Sequence, residues 1–107
     1  MDRSIIINLR VEGYHRYPAA PAETKFLADL HRHIFHITAE KNVSHNNRDI
    51  EFVALKWNIE KYFKDKFPDK QFGEMSCEDI AEYLCLEFEL DSCTVMEDGE
   101  NGAKVKR

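Results

Sequence analysis

His31 and His33 stand one residue apart in the run from Leu30 to Ile37. In an extended segment side chains return to one face every second residue, so both imidazoles point the same way, ~7 Å apart along the backbone. That spacing lets them meet on one metal ion. A third candidate, His15, closes a strand-like run that begins at Ser4. Three neutral imidazoles around one Zn²⁺ leave a fourth position for water or substrate, the pattern of a catalytic rather than a structural site.

The elements that must position these rings follow from the apolar pattern. Ile5, Ile7, Leu9 and Val11 alternate with Asn8, Arg10 and Glu12, which predicts a half-buried strand with His15 on its core side. Pro18 and Pro21 end that strand and open a loop to about Asp29. A second strand over Leu30 to Val43 presents His31, His33, Phe35 and Ile37 on one face. Arg32, Ile34, His36 and Thr38 take the other face. An unpaired ring nitrogen against hydrocarbon is costly, and a shared metal satisfies all three rings at once.

Ser44 to Arg48 reads as a turn that returns the chain into a third strand, Asp49 to Val53. From about Ala54 the period changes: Leu55, Ile59, Tyr62 and Phe63 form one stripe of a helix ending near Pro68. A loop to Met75 follows. Ser76 then suits an N-cap, with Asp79 in a capping-box position, before a helix that buries Ile80, Ala81, Leu84, Cys85 and Phe88. Thr94 to Glu97 is a short strand, and Asp98 to Gly102 a turn into a last extended piece, Ala103 to Lys106. The expectation is a single α+β domain over residues 1–107. Its order is β-β-β-α-α-β with a possible last β, giving an antiparallel four-stranded sheet with two helices on one face.

Composition bounds the partners. At 107 residues the chain builds one core, and no apolar run approaches the ~20 residues that span a bilayer. Only three apolar residues precede Asn8 after Met1, too few for a secretory signal, so a cytoplasmic protein is expected. Between Gln71 and Ala103 there are ten acids and no Lys or Arg. Such a surface repels phosphate backbones, and no basic stripe for nucleic acid exists. Cys77, Cys85 and Cys93 are odd in number and lack CxxC spacing, which argues against a disulfide framework.

With these elements in order, the chain resembles the 6-pyruvoyl- and 6-carboxytetrahydropterin synthases, zinc enzymes of the tunnelling-fold group. Gly13, Tyr14 and His15 fit that family's histidine closing the first strand, and His31-Arg32-His33 fits its His-Gly-His. Glu51, Phe52, Leu55 and Lys56 match its first helix start. Met75, Ser76, Cys77, Glu78 and Asp79 match its second, and Val95-Met96-Glu97 its ligand-anchoring strand. The resemblance implies the tunnelling fold and Zn²⁺ on His15, His31 and His33. It also implies a pterin or purine-type ring held by Glu97 with Ser76 and Glu78 framing the pocket, and closed rings of subunits, trimers or hexamers.

The departures fall on the acid/base groups. The family's catalytic cysteine is replaced by Leu27, and its Asp-His pair by Asp69 and Lys70. Proton abstraction needs a positioned base with a pKa near the working pH; leucine has none, and Lys70 qualifies only if desolvated. The glycine between the two strand histidines is Arg32. Two functions are therefore expected: a zinc-dependent heterocycle-binding relative without standard synthase activity, or a non-catalytic oligomeric protein that keeps the fold.

Overall fold

Two long antiparallel strands, β1 (Arg3–His15) and β2 (His31–Val43), form the spine of the computed structural model, which describes residues 1–107. Their pairing runs from Arg3 opposite Val43 to His15 opposite His31 without a slip. Between them, the expected loop carries a 3-10 helix, Ala22–Ala28, kinked at Thr24. α1 (Phe52–Lys66), β3 (Gln71–Gly73), α2 (Cys77–Phe88), β4 (Ser92–Glu97) and β5 (Asn101–Lys106) follow. The sheet order is β3-β1-β2-β4-β5. No helix is long and apolar enough to cross a membrane.

The class is α+β, but the sheet is five-stranded and mixed, not four-stranded and antiparallel. β3 runs parallel to β1. It was expected to be loop; three residues with one apolar side chain carry no periodic signal. The main chain binds it in place: Tyr14 N donates to Lys70 O at 2.9 Å and Arg16 N to Gly73 O at 2.9 Å.

The expected strand from Asp49 to Val53 does not form. The Asp49 carboxylate accepts from the Ser44 backbone N and Oγ at 2.8 and 2.9 Å, closing a polar loop where a hairpin was anticipated. Those two bonds hold the Asp49 pKa below its ordinary value. Glu51 then caps α1 by accepting from Val53 N at 3.0 Å, so Phe52 and Val53 open the helix. A short apolar run reads equally as strand or helix, and here the cap decides.

Ser76 caps α2 as its sequence suggests: Ser76 Oγ accepts from Asp79 N at 3.0 Å, and Asp79 Oδ2 accepts from Ser76 N at 3.0 Å. Both helices cover one face of the sheet. Ile59 and Phe63 from α1, with Ile80, Ala81, Leu84 and Cys85 from α2, pack on Ile7, Leu9, Phe35, Ile37 and Val95. The other face is open, with Ile6 56 % exposed.

The histidines cap one end of this core. Phe35, fully buried, lies with its ring 5.3 Å from His15 and 5.6 Å from His33. Phe72 from β3 packs on Phe35 at 5.3 Å. It lies over Gly13, where a Cβ would sit 2.2 Å from the Phe72 ring. Glycine at this position opens the socket.

Candidate metal centre

Strand parity and the β1–β2 register bring the three predicted histidines together. His15 and His31 are direct cross-strand partners, and His33 follows on the same face. Ring centroids are 4.5 Å (His15–His31), 4.9 Å (His31–His33) and 5.2 Å (His15–His33) apart. One ring nitrogen from each lies within 4.8 Å of the others, close enough for side-chain adjustment to bring them onto one ion.

The outward nitrogens fix which atoms face the centre. His15 Nδ1 lies 2.8 Å from Met75 O, and His31 Nδ1 lies 2.8 Å from Asp29 O. His33 Nδ1 lies 2.7 Å from Asp98 Oδ2. Carbonyl and carboxylate oxygens only accept, so each Nδ1 carries the proton and donates. In the neutral ring, the form that ligates a metal, Nε2 is then the lone pair. Backing of this kind orients ligating histidines in metal sites.

Glu97 completes the convergence. Its Oε2 is 3.0 Å from His15 Nε2 and its Oε1 is 3.6 Å from His33 Nε2. Neither contact is a hydrogen bond: both Nε2 atoms are buried without a partner. Close approach without the alignment of an N–H···O bond fits nitrogens that hold no proton there. Lone pairs and a carboxylate pointing at each other leave a deficit of positive charge that a cation fills. The three imidazoles suit a divalent metal and do not by themselves select zinc.

A cleft of about 530 Å³ opens beside the cluster, within the ~300–1,000 Å³ of small-molecule sites. His15, His31, Glu97, Ser76 and Glu78 all line it. Leu27 lines it as well, so the cleft holds hydrocarbon at that position. Asp69 and Lys70, the weak catalytic candidates, do not line it. Asp69 Oδ1 accepts from Gln71 N at 3.2 Å, and Lys70 Nζ donates to Glu12 Oε1 at 2.7 Å on the opposite face of the sheet. Glu12 raises the Lys70 pKa, the wrong direction for a base.

Two residues escaped the sequence reading. Cys77, the first residue of α2, lines the cleft. Burial first, then the charges of Glu97 and Glu78, push its thiol up to about 12, so it remains a neutral S–H donor toward Glu97. Its place immediately after the Ser76 cap was the available signal. Asp98 was read only as part of a turn, yet it holds His33. The His33 hydrogen bond, then the Ile34 N–H, keep its pKa below the ordinary carboxylate value.

A scan against protein-family models finds no match for this chain, and a search of curated proteins finds none.

Proposed function

We propose that the chain is a zinc-binding protein that takes a pterin- or purine-type heterocycle in the cleft beside His15, His31 and His33. The observation that carries this is the convergence of one ring nitrogen from each of His15, His31 and His33 within 4.8 Å, with the Nε2 atoms of His15 and His33 buried beside Glu97 and without a hydrogen-bond partner. Bound zinc supplies Lewis acidity, polarising a ligand hydroxyl or carbonyl oxygen. The remaining work belongs to the protein. Glu97 accepts two hydrogen bonds from the amide-like edge of the ring, a charge-assisted bidentate contact. Ser76 and Glu78 frame the ring from the start of α2, and Leu27 excludes water.

The assembly proposed is that of the tunnelling-fold synthases, a homotrimer or hexamer. The open sheet face and the exposed outer strand β5 support it, because unpaired edges invite pairing with another chain. The buried free cysteines suit a reducing cytoplasmic setting. Standard synthase activity is not part of the proposal, since Leu27 lacks an acid/base group and Lys70 is tied to Glu12. That same observation favours the second reading, a non-catalytic binding or structural oligomer.

A thermal-shift titration of zinc-loaded protein with neopterin, with guanine as second probe, tests the reading. At a hundredfold excess over Kd, ligand binding stabilises by about 2.7 kcal/mol. Wild type should gain that increment with at least one probe and Glu97→Gln should not. Equal gains in both proteins remove Glu97 as anchor; no gain with either probe in wild type removes the heterocycle.

A further inference from the structure

The three histidines are not backed equally. Main-chain carbonyls, Met75 O and Asp29 O, receive the Nδ1 protons of His15 and His31. His33 alone donates to a carboxylate, that of Asp98. A negative acceptor on Nδ1–H makes the opposite nitrogen of the same ring a better electron donor. We infer that Asp98 is a positioning residue that orients His33 and makes it the strongest of the three metal ligands. This rests on the metal-centre reading above.

Asp98 reaches His33 because of where β4 stops. The β2–β4 ladder ends at Phe35 opposite Glu97, and the chain turns away while β2 continues. Asp98 (φ 56°) and Gly99 (φ 72°) are the central residues of the turn, closed by Glu100 N to Glu97 O at 3.0 Å. Two consecutive positive φ values make it type I′, for which Asp-Gly and Asn-Gly are the favoured pairs. The turn sends Asp98 back across the vacated edge of β2. Its N donates to Ile34 O at 2.8 Å, Oδ1 accepts from Ile34 N at 2.9 Å, and Oδ2 accepts from His33 Nδ1 at 2.7 Å.

A turn residue needs none of the last contact, and this separates the two roles. Asparagine tolerates the same φ and keeps one acceptor for Ile34 N. Its other group is an amide NH₂, which donates. Facing that donor, His33 is driven to the tautomer with its proton on Nε2, which removes the lone pair aimed at the metal. Asp98→Asn therefore preserves the hairpin and acts mainly on the ligand.

The experiment compares wild type and Asp98→Asn by zinc competition titration, together with ¹⁵N imidazole spectra and thermal melts of the metal-free proteins. Zinc affinity should fall about 10- to 100-fold, the range for loss of such a backing group, while the metal-free protein keeps its cooperative melt at a slightly lower temperature. The His33 ring signals should switch from the Nδ1–H to the Nε2–H pattern. Equal zinc affinity in the two proteins overturns the role of Asp98 and leaves the metal centre standing. Zinc binding by neither protein overturns the metal centre, and the role of Asp98 with it. If the variant does not fold, the wild-type spectrum decides: an Nε2–H tautomer on His33 refutes the inference.

Discussion

Two polar clusters lie back to back at one end of the sheet. On the helix-covered face are His15, His31 and His33. On the open face, from alternate positions of the same strands, are Glu12 and Arg32, joined by Lys70 from the turn before β3. The second cluster is closed. The Glu12 carboxylate accepts from Lys70 Nζ at 2.7 Å and from Arg32 Nε, so each cation has its anion. The first cluster has an acceptor for every Nδ1 on the outside, while on the inside the Nε2 atoms of His15 and His33 face the Glu97 carboxylate without a hydrogen bond. Polar residues that satisfy one another hold a structure together; polar residues that satisfy everything except one shared point define a place for something else.

The largest effect should come from breaking the open cluster. Saturating zinc at a thousandfold excess over Kd should stabilise wild type by about 4.1 kcal/mol. His31→Ala, at a ring that is only partly buried, leaves two imidazoles and should abolish most of that increment with little change in metal-free stability. Denaturant unfolding with and without zinc measures both quantities. An equal zinc increment in the variant would show that His31 is not a ligand.

A smaller effect is expected at the floor beneath the histidines. Gly13 pairs with His33 across the strands and leaves room for the Phe72 ring. That ring is wedged among Phe35, Phe63 and Phe67, with centroids 5.3, 6.0 and 4.9 Å away, so it has nowhere to retreat. Gly13→Ala should cost about 1–3 kcal/mol of stability, the usual range for overpacking a filled site. An unchanged urea midpoint would show that Phe72 repacks freely.

These regions differ in how far the sequence exposes them. Strict alternation put His15, His31 and His33 on the core face because the strand period is two, and no other arrangement of β1 and β2 keeps Ile7, Leu9 and Ile37 buried. The closed cluster was invisible, since Lys70 meets Glu12 only through β3, and β3 is recruited by main-chain bonds that no side chain advertises. Asp98 shows a third case. Its turn was legible, but its hold on His33 depends on a left-handed backbone folding over a strand that outruns its neighbour. The misread segment from Asp49 to Val53 failed for a local reason: the Asp49 side chain captures the Ser44 backbone, a competition that apolar patterning does not register.

The smallest effect belongs to the closed cluster and sharpens the comparison by its pH dependence. Hydrogen bonds from Lys70 and then Arg32 hold the Glu12 pKa below its ordinary 4.5. A carboxylate whose pKa falls on folding adds stability above its unfolded value, and that contribution fades as pH drops through the folded one. Lys70 is raised from 10.5, chiefly by Glu12, so its share persists at neutral pH and fades only as pH climbs through its folded value. The stability difference between wild type and Glu12→Gln should therefore be flat around neutrality and shrink below about pH 4.5. It should also shrink with added salt, because these groups are solvent-exposed and screened. A difference that instead follows zinc concentration would mean that the two clusters communicate through the strand, and that the closed one is part of the site.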